Sequence, residues 1–567
     1  MKSSRMTPGR PRFLHWSFLL LSAAVVGTQA IAAHRIEAVR GAHGMVVAGH
    51  PEAAEIGMRI LADGGNAIDA AVATSLALGV AEPYGSGIGG KCAIVYFDAV
   101  SGECAFVDGM DAAGMQMDPE AFSALSSRMK SEGARSVGVP GLVAALALAH
   151  EKWGSRAWSE LVQPAAELAS RGSLVVPGMP VFFSRRVERI RSNPEAERLY
   201  LPAGQPPLAG SRLPNPDLAR TLGIIAREGR SGLYEGEVAR TIVEELQSGG
   251  GVLTLADFST YTARLSPPLK IDWKDLTIVS SPAPTTGGAT VLLTLKALEN
   301  EDWNPKDTLL TAENIDRWGR MLRQVYPMIQ DQVADTADAP DRWQKLVDPA
   351  NLAFLRVAAG ERPETAPIAD VAIARDGWTT HFVVADDFGN VASITQSLSD
   401  HFGSGVIAPG TGVVLNNSLK NFSFAEPGTV NFPAPGKRPR STIAPTLILK
   451  DGWPIVAIGL PGGQRIPTAT LQVLLDHLVF DRNLGQAITA PRVHLVRSYS
   501  ERADSTLLQW EGPPAEGVAE GLAAAGWEIE VITDPEAFGG FTAIEIGADG
   551  TKTGWADPRR TNHASGY

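Results

Sequence analysis

The stretch of sequence that decides the fold is residues 378–398, which read WTTHFVVADDFGNVASITQSL. Residues 381–385 and 391–398 are rich in β-branched and other apolar residues, as strands are. Between them, residues 386–390 (DDFGN) combine aspartate, glycine and asparagine, which favour a tight turn. The stretch therefore predicts a β-hairpin whose first strand begins with two consecutive threonines.

Strand patterns continue downstream of this hairpin, whereas helical patterns dominate upstream of it. The downstream patterns are residues 412–417 (GVVLNN), 446–460 (TLILKDGWPIVAIGL) and 541–558 (FTAIEIGADGTKTGWADP). Upstream, residues 51–81 predict two helices separated at Gly64-Gly65-Asn66, and helical patterns run on to about Glu245. We expect helices packed against a central layered sheet, an α/β fold of the layered α+β kind.

Two further patterns give local predictions. Residues 332–365 are polar and punctuated by proline without a clear period, which indicates an exposed linker. The arms AIVYFD and ECAFVD predict a hairpin around residues 99–102, with Cys104 opposite position 97 and not opposite Cys92. We therefore expect two free, buried thiols, although an oxidising compartment permits a disulfide between them.

The N-terminus reads as a secretory signal. Basic residues come first, followed by the apolar run 18–27 and by Ala30-Ile31-Ala32, which is typical of a cleavage site. The apolar run is shorter than the roughly 18 residues that a spanning helix needs. We expect a signal peptide over residues 1–33 and an exported protein, in a bacterial periplasm or outside the cell. An uncleaved N-terminal anchor is the alternative.

Composition and charge exclude several classes of protein. The chain has 567 residues and a formal net charge of −12, with 44% hydrophobic and 20% charged residues. These shares are those of a globular protein, so collagen-like, coiled-coil and wholly disordered chains are excluded. Because an acidic protein repels phosphate backbones, the charge also disfavours binding to nucleic acid.

The sequence does not match the motifs of common cofactor and catalytic sites. Residues 85–92 (GSGIGGKC) nearly match a phosphate-binding loop, but Cys92 replaces the hydroxyl that binds Mg²⁺. A strand pattern also follows this segment, where a phosphate loop requires a helix. The histidines show no metal-ligand spacing, and no G-x-S-x-G motif is present. We predict no metal and no cofactor.

The motif Thr379-Thr380-His381, taken alone, is an ordinary entrance to a strand. Together with segments along nearly the whole chain, it resembles the gamma-glutamyltransferase (gamma-glutamyltranspeptidase) family of N-terminal nucleophile hydrolases. The matching segments include residues 50–90, 138–141 (GVPG), 161–172 (LVQPAAELASRG), 284–288 (PTTGG), 402–417 (FGSGVIAPGTGVVLNN), 436–442 (GKRPRST), 461–465 (PGGQR), 490–492 (APR) and 557–559 (DPR). Because so many matches occur in order, the resemblance is specific.

The resemblance implies an αββα sandwich that cuts its own chain before Thr379. The Thr379 hydroxyl would attack the carbonyl of Trp378, giving a helix-rich large chain over residues 34–378 and a strand-rich small chain over 379–567. The freed α-amine of Thr379 would then act as the general base on its own hydroxyl, because an N-terminal amine titrates near neutral pH. The family's substrates are γ-glutamyl amides such as glutathione, cleaved through an acyl-enzyme.

Other site residues are carried over by position. Gly462 and Gly463 match the glycine pair whose backbone N–H groups form the oxyanion hole. Ser397 replaces a threonine that hydrogen-bonds the nucleophile. Ser441 and Thr442 match the pair of serines that binds the α-carboxylate of the donor.

The departures from the family concern donor recognition. Met110 replaces the arginine that binds the α-carboxylate, and Asn421 replaces the aspartate that holds the α-ammonium. Ser418 replaces a glutamine, and Ser399 replaces an asparagine that helps to bind the carboxylate. Arg440 either supplies a replacement cation or is a solvated surface arginine.

Three interpretations of the function follow. In the first, the chain is a self-processing hydrolase and acyltransferase of γ-glutamyl amides. In the second, it is an acylase of the cephalosporin-acylase type, or another small-amide hydrolase, since the short segment between Phe422 and Lys437 implies an open acyl pocket and easy access for water. In the third, it is a non-catalytic relative. The expected partners are a small amide substrate, water or an amino-acid acceptor, and two chains from one precursor, with no nucleic acid and no membrane after signal removal.

Overall fold

The predicted hairpin lies among antiparallel strands that extend over most of the chain. The computed structural model describes Met1 and residues 36–360, 378–424, 427–496 and 506–567, so the predicted signal peptide lies outside the described residues. The strands are β1 Ala38–Gly41, β2 Met45–Ala48, β3 Lys91–Asp98, β4 Glu103–Gly109, β5 Ser173–Leu174, β6 Arg212–Leu213, β7 Arg264–Ser266, β8 Leu269–Trp273, β9 Leu276–Ser280, β10 Trp378–Ala385, β11 Val391–Ser399, β12 Thr446–Lys450, β13 Trp453–Gly459, β14 Val493–Leu495, β15 Leu507–Glu511, β16 Glu528–Ile532, β17 Thr542–Ile546, β18 Lys552–Ala556 and β19 His563–Gly566.

The helices flank these strands on both sides. They are α1 Pro51–Ala62, α2 Ala67–Ala81, α3 Pro119–Ser123, α4 Ser127–Ser131, α5 Leu142–Trp153, α6 Trp158–Arg171, α7 Met179–Ser184, α8 Val187–Arg191, α9 Pro194–Tyr200, α10 Pro216–Glu228, α11 Ser231–Tyr234, α12 Gly236–Ser248, α13 Leu255–Thr260, α14 Gly287–Leu298, α15 Ala312–Gln332, α16 Ala339–Leu346, α17 Pro349–Gly360, α18 Ile466–Leu478, α19 Leu484–Thr489 and α20 Val518–Ala524. Among the residues described, no helix has the length and apolar character that crossing a bilayer requires.

Two seven-stranded sheets form the centre of the described fold. The first has the order β19-β2-β10-β11-β3-β4-β7 and the second the order β1-β18-β17-β13-β12-β9-β8. Each sheet takes strands from both sides of residue 378, so the regions before and after Thr379 fold as one body. The upstream region therefore contributes more strands than its helical patterns predict, although the predicted layered α+β class is confirmed.

The side chains of β10 alternate between two hydrophobic cores. Val383 and Ala385 belong to the core that the two sheets share, together with Ile278 of β9 and Leu447 of β12. Phe382, on the opposite face of β10, belongs to the core beneath α2, α5 and α6. Helix α14 packs against β8 and β9 of the second sheet. The layers are thus helix, sheet, sheet and helix, an αββα sandwich.

The turn of the predicted hairpin is attached to the N-terminus of α2. A carboxylate oxygen of Asp386 accepts hydrogen bonds from the backbone N–H of Ala67, at 2.8 Å, and from the Asn390 side chain. Asn66 caps α2 in a capping box with Asp69, so the predicted break before this helix is confirmed. Every residue of α2 is buried, which explains its run of small apolar residues.

The cysteine prediction is confirmed and the linker prediction is wrong. Cys104 pairs with Phe97 across the β3–β4 hairpin, and both thiols are free and buried. Residues 332–360 contain α16 and α17, and four of their apolar side chains, Trp343, Leu346, Leu352 and Leu355, are buried in the shared core. The rest of the predicted linker, residues 361–365, lies outside the described residues. The segment GVVLNN also forms only isolated bridges and not a strand.

The APR and DPR motifs meet in one buried ionic network. Arg492 pairs with Asp557, and Arg559 lies 3.2 Å from Asp557 and 2.6 Å from Glu511. Burial alone would raise the pKa of Asp557, but the two arginines outweigh it and hold this pKa below its ordinary value. The network therefore joins the segment after α19 to the C-terminal strands.

We expect Asp557→Asn to destabilise the fold by about 3–5 kcal/mol, because it leaves two buried guanidinium groups with one carboxylate. Thermal unfolding should begin at a clearly lower temperature than in the native protein, and the exposed substitution Asp307→Asn is the matched control. Since the pKa of Asp557 is lowered on folding, its contribution is complete above the unfolded-state pKa of about 3.9 and is lost as the pH falls through the folded value. Equal unfolding of the two variants would contradict this role.

Candidate active site

The peptide bond between Trp378 and Thr379 lies at an irregular step of the β10–β11 ladder. Trp378 pairs with Ser399 and Thr380 pairs with Gln396, so the register shifts across Thr379. Such irregularities aim a side chain away from the regular pleat and are frequent beside active sites. The Thr379 hydroxyl is buried and, among the described residues, makes no hydrogen bond.

The hydroxyl of Ser397 contacts the carbonyl group of this peptide bond. Its Oγ donates to the carbonyl oxygen of Trp378 at 2.7 Å and accepts from the backbone N–H of Ser399 at 2.9 Å. A donor on a carbonyl oxygen withdraws electron density from the carbon and stabilises the negative charge that forms when a nucleophile attacks. The neighbouring hydroxyl belongs to Thr379, the residue predicted to make that attack.

The third residue of the TTH motif stays neutral and points into the sheet layer. His381 Nδ1 lies 2.8 Å from the hydroxyl of Thr395, and the imidazole is fully buried. Burial lowers the pKa of His381 to about 3. His381 therefore carries no charge at neutral pH and fills the space beside Gly459, where an added Cβ would come within 2.4 Å of its ring.

An aromatic and cationic cage holds the indole of Trp378. The Arg560 guanidinium lies 3.4 Å from the centroid of the indole, His401 stacks on it at 4.0 Å, and Phe182 packs at 4.4 Å. Burial lowers the pKa of Arg560 to about 10, which leaves it charged at neutral pH. These three contacts hold the side chain of Trp378, the residue that precedes Thr379, in place.

Three of the residues predicted to bind the donor meet around a buried lysine. Lys91 Nζ donates to Ser399 Oγ and, at 2.7 Å, to Ser418 Oγ. The two serine hydroxyls lie 2.8 Å apart, and Asn421 Nδ2 lies 3.4 Å from Ser399 Oγ. The Ser418 hydroxyl also donates to Asp111, whose carboxylate lies 3.8 Å from the lysine nitrogen.

Burial acts on Lys91 and Asp111 in opposite directions. It lowers the pKa of Lys91 to about 8, although the Asp111 carboxylate works against this shift. It raises the pKa of Asp111 to about 7, although Lys91 works against that shift in turn. Sequence reasoning missed both residues. The sequence feature that could have identified Lys91 is a lysine at the start of an otherwise apolar strand, within the segment that nearly matches a phosphate-binding loop.

The glycine pair lies in the loop between β13 and α18. Gly462 and Gly463 have φ values of 155° and 57°, which residues with side chains rarely adopt. Thr442 Oγ1 donates to the carbonyl oxygen of Gly463 at 2.7 Å and so holds the orientation of this loop. The carbonyl of the adjacent Ser441 accepts from the backbone N–H of Thr286 at 2.7 Å, which attaches it to the PTTGG segment.

The structure places two predicted site residues away from this cluster of polar groups. Met110 is buried in the core shared by the two sheets. The guanidinium of Arg440 donates to the backbone carbonyls of Gln330 and Val333 at the end of α15. Arg440 is also 8% exposed, so it is not a solvated surface arginine. These contacts give no support to Arg440 as the replacement cation, whereas Lys91 touches the predicted donor residues directly.

Comparison with known proteins agrees with this fold. A family model described as Gamma-glutamyltranspeptidase matches residues 53–567, and the chain belongs to this family. A glutathione hydrolase proenzyme of Bacillus subtilis is 32% identical over 93% of this chain and 92% of its own. An acylase ACY 1 proenzyme of Pseudomonas sp. strain V22 is 32% identical over 91% and 92%. The cephalosporin acylase of Bacillus halodurans superposes with a TM-score of 0.84 at 27% identity, covering 94% of this chain and 97% of that one.

The family and its named relatives establish that the chain is an enzyme of this class. The relatives named glutathione hydrolase and acylase are enzymes, and the αββα sandwich is the fold of the solved acylase.

Proposed function

We propose that the chain is a precursor that cleaves itself between Trp378 and Thr379 and then uses Thr379 to hydrolyse amides through an acyl-enzyme. The observation that carries this proposal is the hydrogen bond from Ser397 to the carbonyl oxygen of Trp378, beside the buried hydroxyl of Thr379. The proenzyme names of two relatives are consistent with a processed precursor.

Self-cleavage follows from these groups. Thr379 Oγ attacks the carbonyl carbon of Trp378, and the hydroxyl of Ser397 stabilises the negative oxygen that results. The C–N bond then breaks, the nitrogen takes the proton, and an ester joins Trp378 to Thr379 Oγ. Water hydrolyses the ester, which leaves a carboxylate on Trp378 and a free α-amine on Thr379.

Turnover uses the same hydroxyl with the new amine beside it. An N-terminal amine has an ordinary pKa of about 7.7–8.0, so a good fraction is neutral near pH 7 and can accept the proton of Thr379 Oγ. The hydroxyl attacks the amide of the substrate, and the backbone N–H groups of Gly462 and Gly463 stabilise the oxyanion. The leaving amine departs with a proton, and water releases the acyl group from Thr379.

The donor is either a γ-glutamyl amide, as in the relatives named glutathione hydrolase, or an acyl group without the α-ammonium. The second candidate rests on a specific observation. Met110 and Asn421 replace the charged residues that bind the α-carboxylate and the α-ammonium of a glutamyl donor. The relatives named acylase are as similar to this chain as the relative named glutathione hydrolase from Bacillus subtilis. We propose that the enzyme acts after export, in a periplasm or outside the cell.

The test uses the processed protein with two p-nitroanilides that differ only at the α-carbon. γ-Glutamyl-p-nitroanilide carries an α-ammonium and a carboxylate, and glutaryl-p-nitroanilide carries the carboxylate alone. We expect release of p-nitroaniline without an amino-acid acceptor, and a mass increase of one acyl group on the small chain after rapid quenching. Faster reaction of the γ-glutamyl compound supports the first candidate, and faster reaction of the glutaryl compound supports the second. A processed protein that neither hydrolyses nor retains an acyl group would contradict the proposal.

A further inference from the structure

A lysine side chain lies inside the sandwich, next to the strand that carries Ser397. Lys91 begins β3 and pairs directly with Ser397 in the β11–β3 ladder. Its side chain is 2% exposed, and lysine is almost never buried to this degree unless its charge is matched. The burial of Lys91 therefore requires an explanation, either a function in the active site or a structural role in the core.

The contacts of Lys91 are not those of a simple core ion pair. Its nitrogen lies 3.8 Å from Asp111 Oδ2, beyond hydrogen-bonding distance, and bonds instead to the hydroxyls of Ser399 and Ser418. An ammonium has three N–H donors, so among the described residues one donor has no hydrogen-bond acceptor. A pair built for stability alone requires close, fully hydrogen-bonded geometry, which this one lacks.

The residues around Lys91 are those that resemblance assigns to donor recognition. Ser399, Ser418 and Asn421 each contact the network of Lys91, and each departs from the family's usual residue. The arginine that binds the carboxylate in the family is replaced by Met110, whose side chain is buried in the core. The structure thus brings a different cation, from another strand, to the same group of residues.

We propose that Lys91 is the specificity-determining cation of the acyl-donor site, and that the site takes an acyl group ending in a carboxylate without a neighbouring ammonium. This rests on the amide hydrolysis proposed above. A carboxylate of the donor would accept hydrogen bonds from the ammonium of Lys91 and from the hydroxyl of Ser399. An α-ammonium would meet a positive charge and the neutral amide of Asn421. The Asp111 carboxylate accepts the Ser418 hydroxyl and lies 3.8 Å from the Lys91 nitrogen, so its negative charge already faces the positive charge of Lys91.

The test compares two anilides of equal chain length, glutaryl-p-nitroanilide and pentanoyl-p-nitroanilide, which differ only by the terminal carboxylate. We expect the processed enzyme to prefer the glutaryl compound in kcat/KM. Lys91→Met should lower that preference by about 10- to 100-fold, the worth of a hydrogen bond to a charged group. The rate with the pentanoyl compound should fall less than the rate with the glutaryl compound, because only the glutaryl compound carries the carboxylate that Lys91 would bind.

Two further variants keep the test decisive. Lys91→Met with Asp111→Asn removes both buried charges together, so a folding defect caused by an unmatched carboxylate is avoided. Lys420→Met removes a nearby lysine that pairs with Asp400, and it should keep the preference for the carboxylate. An unchanged preference in a processed Lys91 variant, or no preference in the native enzyme, would overturn the role of Lys91 while leaving the hydrolysis standing. A processed native enzyme that hydrolyses γ-glutamyl-p-nitroanilide but neither of these two anilides would overturn the role of Lys91 alone, whereas one that hydrolyses none of the three would overturn both proposals.

Discussion

Thr379→Ala should leave a single uncut chain with no amidase activity. The substitution removes the hydroxyl of the residue that directly follows the Trp378 carbonyl at the irregular ladder step, and the Ser397 hydroxyl is already engaged as the donor to that carbonyl oxygen. Self-cleavage and turnover both depend on this oxygen, so both should fall to background. Intact mass spectrometry of the purified variant, and release of p-nitroaniline, measure the two losses separately.

The matched control is Thr379→Ser, which keeps the hydroxyl and removes one methyl group. We expect this variant to mature more slowly than the native chain and to keep measurable hydrolysis. Two chains in Thr379→Ala would show that another group makes the cut. An uncut chain that still hydrolyses amides would show that Thr379 is not the catalytic nucleophile.

Ser397→Ala should slow self-cleavage by about 10²- to 10³-fold, the usual cost of losing one donor to a developing oxyanion. Its hydroxyl donates to the carbonyl oxygen of Trp378, and the Ser399 N–H fixes that hydroxyl in place. The measurement is the time course of precursor loss after synthesis in a cell-free system. Ser397→Thr keeps the hydroxyl and should cleave at a rate close to that of the native chain.

The comparison of these two variants separates chemistry from folding. If both variants retain the native far-ultraviolet circular dichroism and only the alanine variant cleaves slowly, the hydroxyl acts on the reaction. Cleavage of Ser397→Ala at the native rate would contradict the role inferred from its contact with Trp378.

Local patterns predicted the hairpins and the first two helices well. The turn DDFGN, the break before Asn66 and the pairing of Cys104 with Phe97 depend on neighbours in sequence, which the pattern itself contains. The error at residues 332–360 has a physical cause. Helices α16 and α17 bury few apolar side chains, and they are fixed by packing on α14 and α15, which no local pattern reveals.

Site residues could be predicted from the sequence only where the family resemblance assigns a role and the side chain present has the chemical group that the role requires. Thr379 and Ser397 were identified in this way, and the structure places them at one peptide bond. Sequence position favours Arg440, beside Ser441, as a replacement cation, but its guanidinium donates to the backbone carbonyls of Gln330 and Val333. Residues distant in sequence can replace one another in space, and Lys91 reaches Ser399 from a different strand.

The cut between Trp378 and Thr379 is tested most directly by the intact mass and N-terminal sequence of each chain in the purified native protein. We expect two chains that copurify, one of them beginning at Thr379 and ending at Tyr567. A folded protein that remains a single chain across residues 378 and 379 would contradict this expectation.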